Sequence, residues 1–221
     1  MPMKLVLIGA GELAEIADEY FTHDSDYEVV AFSVERNFIQ QQQLNDKPVV
    51  AYEELETHYP PEEFTLFVAI PSSQLNALRT RFYLDAKQKG YQFATYISSR
   101  AFVWRNAVIG ENTFIFENNV IQPFVTVGNN CILWSGNHVG HRTVIKDHNF
   151  ISSHVVISGY CEIGESCFLG VNSTFNDHVR VGDHCVIGSG ALITKDTEPN
   201  RIYVSSGAKP VPGKLATEAD I

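Results

Sequence analysis

Every sixth residue from position 97 to position 193 is aliphatic or aromatic, from Ile97, Val103 and Ile109 through to Val181, Ile187 and Ile193. Seventeen consecutive positions hold this register without a slip. The following position is often glycine, as at Gly110, Gly128, Gly140, Gly164, Gly170, Gly182 and Gly188. Two positions before each apolar residue the side chain is often small, as at Ala107, Thr113, Thr143, Ser173 and Ala191. Hexapeptide periodicity is the mark of a parallel β-helix: each six-residue unit is one flat side, and its apolar slot points to the axis. Three units complete an 18-residue coil. Residues 18 apart then stack on neighbouring coils about 4.8 Å apart, as paired strands do. Pro123, His141, Gly159 and Asp177 form one such column, and Gly136, His154, Asn172 and Gly190 another.

The same register accounts for the four cysteines. Cys131, Cys161, Cys167 and Cys185 are separated by multiples of six, and all occupy the small slot. They are expected to be free and buried, acting as small hydrophobes, with no metal site. The chain has 221 residues and a net charge of −10, which argues against nucleic acid or an anionic membrane as a main partner. No run of 18 apolar residues is present, so no membrane-spanning helix is expected. The start of the chain lacks a signal peptide's cleavage region, and a cytoplasmic location is expected.

The first ninety-five residues read differently. An apolar run over residues 4–8 ends in Gly9-Ala10-Gly11-Glu12-Leu13-Ala14. Leu13, Ile16, Ala17, Tyr20 and Phe21 then fall on one helical face. Further strands fit residues 28–32, 65–70 and 93–97. A helix capped by Ser72 or Ser73 carries Leu75, Leu78, Phe82 and Ala86 and stops at Gly90. This βαβ pattern predicts a small Rossmann-like α/β unit with a parallel sheet. The glycine turn has two readings: a tight structural turn, or a G-x-G-x-x-A loop that lets a phosphate approach the helix N-terminus. Glu35 is the acidic candidate after the second strand. It lies past the apolar run, which weighs against NAD.

With these motifs in place, the sequence resembles the bacterial nucleotide-sugar N-acetyltransferases of the hexapeptide superfamily, the bacillosamine, perosamine and sialic-acid acetyltransferase type. The stretches that carry the resemblance are GNHVGHRTVI, ISSHVVISG, IGESCFLGVNS and VIGSGALI, after the small Rossmann-like unit. The resemblance implies a left-handed β-helix over residues 96–198, a nucleotide-sugar-binding unit over 1–95 and a C-terminal segment over 199–221. It implies a homotrimer, with acetyl-CoA as co-substrate bound between subunits and a role in lipopolysaccharide or O-antigen synthesis. It assigns His141 as the general base and the backbone N–H of Gly159 to the thioester oxygen. Val171, Gly188 and Ser189 follow the CoA arm. Gly9, Ala10, Gly11 and Glu12, with Glu35, Ser72 and Arg79, belong to the nucleotide-sugar site. In the family an acidic residue often follows the histidine; here that position is Arg142.

Four of the eight histidines lie within residues 135–154. The column places His141 beside bare Gly159, which favours a base, since a neutral imidazole suits proton removal from an attacking amine. His138 and His154 are candidate acceptor or acetyl contacts. His148, His178 and His184 are expected to be solvated turn residues. An O-acetyltransferase and a non-catalytic nucleotide-sugar-binding trimer are the alternative functions.

Overall fold

A computed structural model describes residues 3–207 and Pro212; the remainder of the expected C-terminal segment 199–221 lies outside the described residues. The chain begins with β1 (Met3–Ile8), whose last four residues are buried, followed by α1 (Glu12–His23) and β2 (Tyr27–Val34). A hairpin of β3 (Gln43–Leu44) and β4 (Lys47–Ala51) turns on Asn45 and Asp46 at φ 47° and 59°, the left-handed pair that short hairpins need. After α2 (Leu55–His58) come β5 (Thr65–Val68), α3 (Ala77–Gln88) and β6 (Gln92–Phe93). The sheet order is β3-β4-β2-β1-β5-β6, parallel except for β3. The sequence alone shows neither β3 nor β4, whose short polar flanks hide them.

Two local details shape the surroundings of the glycine turn. β2 runs to Val34, so Glu35 directly follows the strand. α3 starts at Ala77, not after Ser72 or Ser73, because Gln74, Leu75 and Asn76 make a left-handed turn at φ 52°, 50° and 67°. Asn76 ends that turn buried, and its Nδ2 donates to the Cys167 carbonyl at 3.0 Å.

From Tyr96–Ile97 onward, two-residue strands recur every six residues as far as Leu192–Ile193. Each pairs in parallel with the strands 18 residues away: Phe114 with Ile132, Val120 with His138, Thr126 with Val144. The expected strand over 93–97 is therefore split. Its first part closes the N-terminal sheet and its second opens the coil stack. The result is a left-handed β-helix of hexapeptide repeats with three flat faces. Face A holds Phe114–Ile115 and its stacked partners, face B holds Val120–Ile121, and face C holds Thr126–Val127. The first vertex, between A and B, comprises residues 116–119 and their equivalents every 18 residues. The second, between B and C, comprises 122–125, and the third, between C and A, 128–131.

The sixth-residue positions are buried along the axis from Ile115 to Ile193. The cysteines are free and buried in the small slot. They do more than fill space: each thiol points at a main-chain carbonyl of the next coil, as Cys161 does at Asn176 at 3.1 Å. Thr143 plays the same part through its hydroxyl, with Ser158 at 3.0 Å. Every sixth residue from Asn112 to Gly190 has positive φ. Those residues turn the vertices.

The N-terminal unit covers face A. Tyr96, Phe114, Ile132 and Phe150 point outward from that face and are buried against Leu13, Ala17 and Phe21 of α1. Tyr20 meets Phe116 edge-on at 5.2 Å between ring centres. Each large apolar side chain so buried contributes about 1.5–3 kcal/mol. Faces B and C keep apolar residues exposed, among them Phe102, Val108, Val144, Val156 and Leu192.

Candidate active site

A cleft of about 440 Å³ opens at the carboxyl ends of β1, β2 and β5, where ligands of open α/β sheets bind. Gly9, Ala10, Gly11, Glu12 and Glu35 line it, with Ser33, Phe38, Ser73 and Trp134. Ser73, not Ser72, is the serine that faces the cleft. The two glycines differ in role. Gly9 has φ +127°, a Cβ there would sit 2.7 Å from the Ala69 carbonyl oxygen, and its N–H donates to Ser33 at 2.8 Å. Gly9 therefore builds the turn. Gly11 has an ordinary extended backbone, and a Cβ there would meet nothing within 4 Å. Its open side faces the cleft. The Ser33 hydroxyl is fully buried at the cleft wall with no hydrogen-bond partner. Glu35 accepts from Arg81 at 2.9 Å.

Arg79, assigned by resemblance to the nucleotide site, is not there. It is completely buried. All five guanidinium N–H groups are used, donating to the carbonyls of Asn130, Ile70, Pro71, His148 and Asn149 at 3.1–3.3 Å. It fastens the loop after β5 to the third vertex and leaves no donor for a phosphate. Burial pushes its pKa down to about 10, so it stays charged at neutral pH.

The histidines divide by place in the coil. His148, His154, His178 and His184 all occupy the left-handed turn position, φ 57–66°, which favours Asn, His and Gly. Much of the histidine density thus reflects backbone conformation. His148 is not the solvated residue the sequence suggested: its Nδ1 lies 3.0 Å from Asn130 Nδ2, its ring meets Tyr83, and burial lowers its pKa. The ring of His154 lies over Gly136, where a Cβ would stand 2.5 Å from Nδ1. His138 points outward from face B and is half-buried.

His141 stands one residue before the left-handed position, exposed on the second vertex. Its imidazole lies across Gly159, where a Cβ would come within 2.6 Å of Cε1. Tyr160 braces it edge-on at 5.1 Å between ring centres. Gln122 Oε1 accepts the His141 backbone N–H at 2.8 Å and lies 3.4 Å from Nδ1. With the proton on Nδ1 facing that amide oxygen, Nε2 is left free to accept one. Gln122 is thus the side chain facing Nδ1, where Arg142 offers no acceptor, and the 19-residue separation hid it from sequence reading. The Gly159 N–H differs from expectation: it donates to Asp177 Oδ1 at 2.8 Å. In this conformation it is not available to an oxyanion.

Val171, Gly188 and Ser189 sit on the first vertex, whereas His141 and Gly159 sit on the second. A single chain separates them by the width of face B, and its cleft meets the β-helix at Trp134, which is also on the first vertex. No group of three or more His, Cys, Asp or Glu residues is arranged to hold a metal among the described residues.

Residues 106–141 and 160–195 match the family model for the bacterial transferase hexapeptide, six repeats. The chain carries bacterial transferase hexapeptide repeats. No curated protein matches the sequence. Among solved structures, the acetyltransferase domain of PglB from Neisseria gonorrhoeae is 26% identical at a TM-score of 0.84, covering 95% of this chain and 100% of that one. The same domain in complex with acetyl coenzyme A gives 24% identity, a TM-score of 0.83, and coverage of 96% and 100%. PerB from Caulobacter crescentus, in complex with CoA and GDP-perosamine, is 21% identical at a TM-score of 0.81, covering 91% and 94%. Hexapeptide repeats and N-terminal unit are thus matched together, as one arrangement.

Proposed function

We propose that this protein transfers the acetyl group of acetyl-CoA to the amine of a nucleotide-linked sugar, as a bacterial cytoplasmic enzyme of lipopolysaccharide or O-antigen-type glycan synthesis. Residues 1–95 hold the nucleotide and residues 96–198 carry the acyl transfer. The observation that carries this reading is the exposed imidazole of His141, laid on bare Gly159 with Nδ1 turned to Gln122. The amine attacks the thioester carbonyl carbon, His141 Nε2 takes the amine's proton, and CoA leaves as its thiolate. A backbone N–H steadies the oxyanion; Gly159 supplies it if Asp177 swings aside, since Asp177 holds that N–H in the free chain. The PglB domain binds acetyl coenzyme A and PerB binds CoA and GDP-perosamine, which supports both substrates here.

The site is read as lying between subunits of a homotrimer. The separation of the CoA positions from His141 across face B, and the apolar residues left exposed on faces B and C, support that reading. A neighbouring copy brings first vertex to second vertex and closes the groove that one chain leaves open.

The test is His141→Ala and His141→Asn in the presence of acetyl-CoA and UDP-, dTDP- and GDP-linked amino sugars. Removal of a general base costs about 10²- to 10⁴-fold in kcat, with acetyl-CoA affinity retained. A variant keeping more than about a third of wild-type kcat where chemistry limits would refute the base assignment. A product bearing an ester in place of an amide would identify a sugar O-acetyltransferase.

A further inference from the structure

We propose that Arg142 of one copy binds the diphosphate of the acceptor held in the cleft of a neighbouring copy, a positioning role for the residue that follows the base. This rests on the reading of the cleft as a nucleotide site and of His141 as the base.

The cleft is short of positive charge. Its lining contains two carboxylates, Glu12 and Glu35, and no lysine or arginine. The cations near Glu35 are already paired, Arg81 with Glu35 itself and Arg36 with Glu54. Glu12 and Glu15 stand in the first turn of α1, where they satisfy the helix dipole and oppose an incoming anion. The Gly9 N–H is already used by Ser33. A diphosphate entering here meets free amides at the start of α1 but no cation, in a chain of net charge −10.

The missing cation stands beside His141. Arg142 is exposed, and no carboxylate lies within ion-pair distance of it among the described residues. Its guanidinium carbon lies over the Phe124 ring, 4.4 Å from the centroid, and no side-chain hydrogen bond engages its donors among the described residues. The backbone shows that this is a costly arrangement. At the first and third vertices the left-handed position holds only Asn, Gly, His or Ser, as at Asn118, Gly136, Asn130 and Ser166. At the second vertex alone it holds Phe124, Arg142, Tyr160 and His178, with φ 58–65°. Bulky side chains in that region are strained and persist where function holds them.

The chemistry fits one acceptor molecule. In a nucleotide-linked amino sugar the diphosphate hangs from the anomeric carbon of the ring that carries the amine. A base that reaches the amine has its sequence neighbour one ring away from the phosphates. Arginine is suited to that contact, because its planar fork matches phosphate oxygens in pairs.

The experiment uses the full-length assembly. Binding of UDP, GDP, dTDP and the corresponding nucleosides is measured by calorimetry for wild type, Arg142→Gln and Arg142→Lys, with CoA in parallel. One nucleoside diphosphate is expected to bind wild type more tightly than its nucleoside. Arg142→Gln should lose about tenfold or more of that preference while nucleoside and CoA affinities hold. Arg142→Lys should keep part of it, and carries the test if the glutamine variant fails to assemble. With an amino-sugar acceptor, KM should rise far more than kcat falls. An unchanged preference overturns the proposal and leaves the nucleotide reading standing. A loss of CoA affinity instead assigns the contact to the CoA diphosphate and also overturns it. If wild type binds no nucleoside diphosphate, the nucleotide reading fails and the proposal with it.

Discussion

Replacing Arg79 by methionine removes five hydrogen bonds from one buried position while keeping much of the side-chain volume. Of the five carbonyls concerned, that of Asn149 keeps the Ile132 N–H as a partner at 3.0 Å. The other four are left bare. A buried acceptor without a partner costs about 1–3 kcal/mol; water can reach the part-exposed Pro71 and His148 carbonyls, so the buried pair on Asn130 and Ile70 gives about 2–6 kcal/mol. Relief from burying a cation offsets part of this, and we expect a net loss of about 2–4 kcal/mol. For a chain of this size that lowers Tm by about 5–15 °C. Arg79→Lys should recover less than half, because an ammonium has three donors and no planar fork. The assay is thermal or urea unfolding beside acceptor KM on the surviving fold. A nucleotide contact makes the opposite forecast: acceptor KM raised tenfold or more with Tm within about 2 °C of wild type. That outcome would refute the clamp and restore the role the resemblance assigned.

Gly11→Val should leave acetyl-CoA affinity intact and weaken acceptor binding at least tenfold, because the position is open toward the cleft; its stability cost should stay within about 1 kcal/mol, and equal loss of both substrates would show damage to the fold. Gly159→Ala places a Cβ 2.6 Å from the His141 ring, so kcat should fall by about tenfold or more through a displaced base, with Tm nearly unchanged; unaltered kcat would show that the imidazole does not work from its position on Gly159. His148 titrates below its ordinary 6.5 because it is buried. Below pH 6.5 the unfolded chain takes up a proton that the folded chain refuses, so stability should fall as pH drops through that window, by at most about 1.4 kcal/mol per pH unit from this group. His148→Asn suits the left-handed backbone and should flatten the dependence of Tm on pH between 5 and 7; parallel curves for the two proteins would exclude His148 as the cause.

The coil stack was legible in the sequence because a β-helix maps spacing onto space without intermediate steps. Six residues make a side and eighteen make a coil, so Cys131 to Cys185, the His141–Gly159 contact and the His154–Gly136 contact follow from counting. The glycine turn after β1 was legible for a similar reason: the strand, the turn and the helix face are all local.

What counting did not reach depends on surfaces meeting. Tyr96, Phe114, Phe150 and Phe168 recur in the 18-residue register just before the axial residues, a signal that face A is covered, yet only docking shows that α1 covers it. Trp134 enters the cleft from the β-helix for the same reason. In sequence Arg79 is placed by resemblance alone, at the nucleotide site. Its role was decided by carbonyls from two distant segments converging on it, and a hydrogen-bond acceptor on the main chain leaves no trace in residue type. The same holds for Gln122 and Asp177, whose side chains reach N–H groups 19 and 18 residues away. The sequence by itself determined the periodic core, because hydrophobic burial follows side-chain identity at fixed intervals. The tertiary structure decided which polar groups remain free for chemistry, because that depends on every partner a donor or acceptor has already found.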